Sequence, residues 1–243
     1  MTAPETPTFT RAPATEDLFT PIHKAIRSMI FDLAGRLQTA DFADVARSKA
    51  LLADLEHEFS VALSAGCILC LLHRHAADEE EAVFPAVAEF DSNLVRGFIE
   101  EHHDIARRLE GITRMSKDVA TLARPEERID FGAALTRTAN DFFTFYLAHL
   151  NREEAELVPF MRAHFTDEQM RSMRGAIMGG MPRDRMITIF RWMLPSLNVT
   201  ELTALLRGIQ REAPPTLFQL ISGIAAERVD PDRWQTVKAR VGL

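Results

Sequence analysis

The stretch LLHRHAADEEEAVFPAV, Leu71 to Val87, has the 3.6-residue apolar period of a helix. His75 and Glu79 fall on the apolar face, where a core-facing seam calls for leucines. An imidazole and a carboxylate four residues apart lie on one helix face, one turn from each other. Burying either group without a partner is costly, the carboxylate especially. A helix that turns both inward needs a charge to meet them.

The pattern recurs. HAADEEEAVFP (75–85) aligns without a gap on HLNREEAELVP (149–159), so His75 matches His149, Glu79 matches Glu153, and a proline stands at the same offset. Upstream, HKAIRSMIFDL (23–33) aligns on HHDIARRLEGI (102–112) with apolar matches at offsets three, seven and ten. The chain therefore reads as a duplicated helical hairpin, and two antiparallel hairpins make an up-down four-helix bundle, an all-α fold.

Four helices carry this pattern. The first runs from about Glu16 to Gln38, with a seam of His23, Ile26, Ile30, Leu33 and Leu37. The second is long, from about Phe42 to Phe90, with a seam of Val61, Ala65, Ile68, Leu72, His75, Glu79, Ala82 and Ala86; Pro85 should bend or end it. The third starts at Ser92 as N-cap and runs to about Ala120, with His102, Ile105, Leu109 and Ile112 inward. RPEER (124–128) is a break with Pro at a helix start, and the fourth helix runs from about Arg128 to His164 with Leu135, Ala139, Phe142, Tyr146, His149 and Glu153 inward. Residues 1–16 read as a disordered segment, 17–165 as the bundle, and 166–243 as a C-terminal extension. The extension divides into four or five short amphipathic helices, each opened by a capping residue or a proline. Trp192, Leu194, Phe218 and Trp234 suit packing among themselves or onto the bundle, so a small second domain and an extension are both allowed.

Composition narrows the function. Twenty-eight basic against thirty-five acidic residues give a net charge of −7 and a pI of about 5.6. That balance carries no basic nucleic-acid footprint and no polybasic membrane patch. No apolar run approaches the roughly 18 residues of a membrane span, and the N-terminus lacks a signal-peptide core. A cytoplasmic protein is the expectation. The cysteines are Cys67 and Cys70, within GCILC. Without a second soft pair they make no zinc site and read as small buried side chains.

The chemistry rests on His23, His75, Glu79, His102, His149 and Glu153, four imidazoles and two carboxylates on the bundle axis. Mixed imidazole and carboxylate donors suit iron, manganese or zinc. Six side chains are too many for one ion with an open position. They suit two ions, each with two histidines, both carboxylates bridging and a solvent-derived bridge between them, with room for a small diatomic ligand. His103 is the rival to His102, which the seam spacing favours. His73 and His164 lie off the seam, and His57 lies about five turns from His75. Asp78, Glu80 and Glu81 read as a solvated face. Tyr146 is a core residue or a donor beside the metals, and Glu156 is a further carboxylate near them or a solvent-facing one at a bundle end.

On IHKAI, HAADEEEAVFP, EHHDI and HLNREEAELVP, over residues 18–164, the chain resembles hemerythrin-like proteins of the HHE cation-binding type. The resemblance implies a four-helix bundle holding two non-haem irons on the six residues named. Oxygen-carrying hemerythrins have a fifth histidine where this chain has Ala106, and HxxxxD where it has HxxxE. Both departures favour the four-histidine, two-glutamate pattern similar to iron-centre repair proteins, here without their cysteine-bearing N-terminal domain. RWMLPSL and the helices after it resemble the repeats of plant iron-sensing ubiquitin ligases, without a RING-type cysteine pattern. The expected function is binding or sensing of dioxygen, nitric oxide or iron, with a protein partner at the C-terminal helices as an option. The alternatives are a di-iron oxidase, peroxidase or nitric-oxide reductase, an iron-centre repair protein, and a metal-free helical interaction module.

Overall fold

The structure, a computed structural model, describes residues 16–55 and 68–243. The expectation of disorder at the N-terminus, and the readings of His57, Val61, Ala65 and Cys67, fall outside these residues apart from Glu16. Among the described residues the fold is helical throughout.

Helix α1 (Thr20–Gln38) opens beneath Asp17, whose carboxylate accepts from the backbone N–H of Phe19 and Thr20. The second helix of the first hairpin is divided. α2 (Val45–Leu55) lies along α5, α3 (Ile68–Ala82) carries the His75 motif, and α4 (Phe84–Ala88) restarts after Val83 with Pro85 in its first turn. Pro85 thus ends α3 as expected. Helix α5 (Ser92–Thr121) is capped by Asp91, whose side chain accepts from Asn93 and Leu94. Ser92 is therefore the first helical residue and not the cap. Helix α6 (Pro125–His164) starts three residues earlier than the period indicates and passes through Pro159 without breaking. Matched prolines thus have different outcomes in the two repeats.

Arg128 fastens the far end of the bundle. Its guanidinium donates to the carbonyls of Phe42, Ala43, Leu122 and Ala123, joining the loop after α1 to the loop before α6. Beside it Gly132 lets the Phe42 ring pack directly on the α6 backbone; a Cβ there would stand 2.3 Å from ring carbons.

The bundle core comes in two parts. One includes Ile26, Leu72, Ile105 and Tyr146, the other Phe19, Val83, Phe98 and Leu157. His23, His75, Glu79, His102, His149 and Glu153 lie between these residues on all four bundle helices, so the polar groups form a layer between two apolar ones.

Five helices follow: α7 (Asp167–Gly179), α8 (Arg183–Ser196), α9 (Val199–Glu212), α10 (Pro215–Arg228) and α11 (Pro231–Val241). Capping boxes open α7 at Thr166 and α9 at Asn198, and Asp230 caps α11. These helices bury a core of their own around Leu194, Leu206, Ile224 and Trp234. They also pack on the bundle, with α8 along α1 and α7 against α3. Lys24 pairs with Glu201 at 2.6 Å, and Ser28 shares a hydrogen bond with Ser196 at 2.8 Å.

The deepest tie is between Arg185 of α8 and Asp78 of α3, both buried. Asp78 also accepts from Arg74 at 2.9 Å. The reading of Asp78 as solvated is thus corrected: α7 and α8 cover that face of α3. Removing one partner of a buried pair strands the other charge and typically costs about 3–5 kcal/mol. Asp78→Ala is expected to lose stability on that scale in urea unfolding, and Asp78→Leu with Arg185→Leu to recover much of it. A loss below about 1 kcal/mol for Asp78→Ala would show that the contact is hydrated.

Candidate metal centre

Each bundle helix contributes to the layer, α1 His23, α3 His75 and Glu79, α5 His102, and α6 His149 and Glu153. All six are buried, from 0% exposed for His23 and Glu153 to 8% for His75. The two carboxylates stand between the two pairs of imidazoles. Oε1 of Glu79 is 3.2 Å from Nε2 of His75 and 3.9 Å from that of His23, while its Oε2 is 3.4 Å from Nε2 of His102. Oε2 of Glu153 is 3.4 Å from Nε2 of His23, and its Oε1 is 3.0 Å from His149 and 3.6 Å from His102. Two clusters result, His23–His75–Glu79–Glu153 and His102–His149–Glu79–Glu153. In each, one atom per residue lies within 4.8 Å of the others. Both carboxylates belong to both clusters.

Seven of these eight atoms lack hydrogen-bond partners. Nε2 of His23, His75 and His102, and all four oxygens of Glu79 and Glu153, are buried without one. Buried polar atoms are satisfied in the great majority of cases. Seven orphans around two common points, with mixed nitrogen and oxygen donors, fit a pair of cations.

On three of the four histidines the other ring nitrogen is held by a carboxylate. Nδ1 of His23 is 3.0 Å from Glu154, that of His102 is 2.8 Å from Glu80, and that of His149 is 2.8 Å from Glu101. Such contacts fix the tautomer so that Nε2 presents its lone pair inward. Sequence reading missed all three supports and assigned Glu80 to solvent, which the contact to His102 corrects. A signal was present: Glu80 and Glu154 follow the inward glutamates in both repeats, and Glu101 precedes His102. Glu81 is exposed, as expected.

The remaining candidates sort clearly. His102 is buried and His103 exposed, so the layer contains His102. His73 is half-buried off the seam, and His164 stacks on Phe160 at the surface. Tyr146 is fully buried, and its hydroxyl donates to the Leu72 carbonyl at 3.0 Å. Its ring stands edge-on to His149, with centroids 5.8 Å apart. Glu156 points outward and pairs with Arg152 at 3.2 Å, so it does not enter the layer. Cys70 is buried in the bundle core.

Without metal, protons supply the missing positive charge. Burial alone would lower the His102 pKa, but Glu153, Glu79 and Glu80 raise it to about 11. The same opposition, with Glu154 and Glu79 outweighing burial, raises His23 to about 9. Burial dominates at His75 and lowers it. Burial and mutual repulsion oppose ionisation of Glu79, yet the surrounding imidazoles hold its pKa down. Metal binding needs neutral Nε2 atoms, so it must displace protons. Loading at pH 7 is expected to release at least the protons of His23 and His102, and apparent affinity should fall as pH falls. Calorimetry in buffers of different ionisation enthalpy measures this; zero release at pH 7 would contradict it.

The profile of the Hemerythrin HHE cation binding domain matches residues 15–161, and the chain belongs to that family. It is thus a cation-binding HHE domain with two buried His/Glu groups suited to metal ions, followed by further helices. No curated protein and no solved structure gave a significant match. Among the described residues no helix is long and apolar enough to cross a membrane.

Proposed function

We propose that this protein holds two non-haem iron ions in the layer and uses them to bind or sense dioxygen or nitric oxide. The observation that carries this reading is the set of seven orphaned donor atoms, with Glu79 and Glu153 shared between the two clusters. His23 and His75 would hold one ion, His102 and His149 the other, and Glu79 and Glu153 both. Imidazole and carboxylate together suit iron, with manganese and zinc as competitors. Each ion would receive two nitrogens and two oxygens from the chain. An ion that takes more than four donors would also accept solvent or a small exogenous ligand. When bound, such a centre supplies reversible ligand binding and one-electron chemistry.

The chain's own part is to orient and to exclude. Glu80, Glu101 and Glu154 hold three imidazoles with Nε2 inward. The apolar clusters on either side keep bulk water from the layer. The enzyme reading would need a proton donor at the metals. Its two candidates are committed elsewhere, Tyr146 to a backbone carbonyl and Glu156 to Arg152, which supports ligand binding over oxidase or reductase chemistry.

The test is anaerobic loading with Fe(II), metal analysis, and optical spectra before and after nitric oxide. Two irons per chain and new visible bands are expected. Failure to retain iron, or spectra indifferent to nitric oxide, would overturn the proposal.

A further inference from the structure

The duplicated motifs predict symmetric support for the four histidines, and the structure breaks that symmetry at one place. Glu80 and Glu154 are equivalent in the repeat, and each holds the first-helix histidine of the opposite hairpin, His102 and His23. Glu101 precedes His102 and holds His149, the motif histidine of its own hairpin. The residue equivalent to Glu101 precedes His23, and it is Ile22. An isoleucine accepts no hydrogen bond, and among the described residues no carboxylate stands on Nδ1 of His75.

The supports also differ in strength. Glu154 shares the oxygen that meets His23 with Arg27, at 2.7 Å. Glu101 meets His149 through one oxygen and Arg152 through the other. Glu80 has no arginine partner among the described residues, so its charge is spent on His102. The His102–His149 position thus has two carboxylate-backed imidazoles, one backed by an undivided charge. The His23–His75 position has one, backed by a divided charge. A carboxylate on the remote nitrogen makes an imidazole a better donor, and its loss typically weakens metal binding about 10–100-fold.

Aromatic rings flank both positions, Phe19 standing edge-on to His23 with centroids 5.6 Å apart. Phe84 stacks on His102 with centroids 5.3 Å apart, and Phe98 and Tyr146 stand edge-on to His149. His75 is the most exposed of the six, at 8%.

We infer that the two metal positions are unequal by construction: the His102–His149 position fills first and holds tightest, and the His23–His75 position loads last and exchanges. The inference rests on the two-metal reading above. The protein then carries a resident ion and an exchangeable neighbour, and occupancy of the second position follows the free metal concentration.

The experiment is anaerobic calorimetric titration of the metal-free full chain with Fe(II), alongside Glu101→Gln, Ile22→Glu, His75→Ala and His149→Ala. Two steps in the native chain do not decide the matter, since two cations sharing two carboxylates repel each other. The variants decide it. Glu101→Gln should weaken the tight step about 10-fold or more and narrow the gap between steps. Ile22→Glu should tighten the weak step. His75→Ala should keep the tight step alone, and His149→Ala only a weak one. The inference is overturned if Glu101→Gln leaves both steps unchanged, or if His75→Ala removes the tight step. Should Ile22→Glu fail to fold, the Glu101→Gln and His75→Ala results still decide. Binding of fewer than two ions by the native chain would instead refute the two-metal reading.

Discussion

Glu153→Ala is expected to strip both metal ions from the protein, whereas His75→Ala should leave one in place. Glu153 is fully buried, and its two oxygens face different imidazole pairs, Oε2 toward His23 and Oε1 toward His149 and His102. Removing it takes one donor from each position at once. It also removes half the negative charge that draws cations into a layer walled by apolar side chains. A histidine touches one position only, so its loss is local. Elemental analysis after dialysis, with circular dichroism to confirm the helices, distinguishes the cases. His73→Ala, off the seam, should retain the full complement. Full metal content in Glu153→Ala would show that ions sit elsewhere.

Metal removal should cost the protein much of its stability. An ion that binds only the folded chain stabilises it by about 4 kcal/mol at a thousand times its Kd, so about 8 kcal/mol for two ions. At roughly 2–4 °C per kcal/mol for a chain near this length, the thermal midpoint should fall by about 15–30 °C. The metal-free layer is partly compensated at neutral pH, because His23 and His102 retain protons up to about 9 and 11. Both pKa values are raised above the unfolded value. The stabilisation is therefore complete below about pH 6.5 and is lost as pH rises through 9 and 11. The metal-free protein should weaken on going alkaline, and its gap to the loaded form should widen. Scanning calorimetry of both forms from pH 6 to 10 checks this; equal midpoints would mean that the layer is hydrated and indifferent to metal.

The bundle and its six inward donors were legible because buried polar residues stood in a strict apolar period, twice. The supports were not, and the reason is geometric. Glu80 is one residue past Glu79, so a single-helix projection turns it off the seam. Only α5 laid beside α3 brings Nδ1 of His102 to it. Asp78 looks solvated for the same kind of reason: α7 and α8 cover it, and nothing in the period of α3 announces a neighbour more than a hundred residues away. The cap of α5 slipped by one position because Asp91 and Ser92 are both capping residues, and the choice depends on backbone angles. The seam alone allows Tyr146 two roles, since a sequence cannot show that its hydroxyl meets the Leu72 carbonyl.

The crossing of supports between hairpins has a consequence for ancestry. Each metal position draws one carboxylate from the opposite hairpin, and Glu80 and Glu154 each steady the other hairpin's histidine. A chain with one hairpin alone would carry two histidines and one glutamate of the layer and could complete neither position. Two copies face to face would complete both, with identical halves. Fusing them removes the concentration dependence of such a dimer and frees the copies to diverge. Ile22 against Glu101 is a mark of that freedom: a difference between two sites that a dimer of identical chains could never encode.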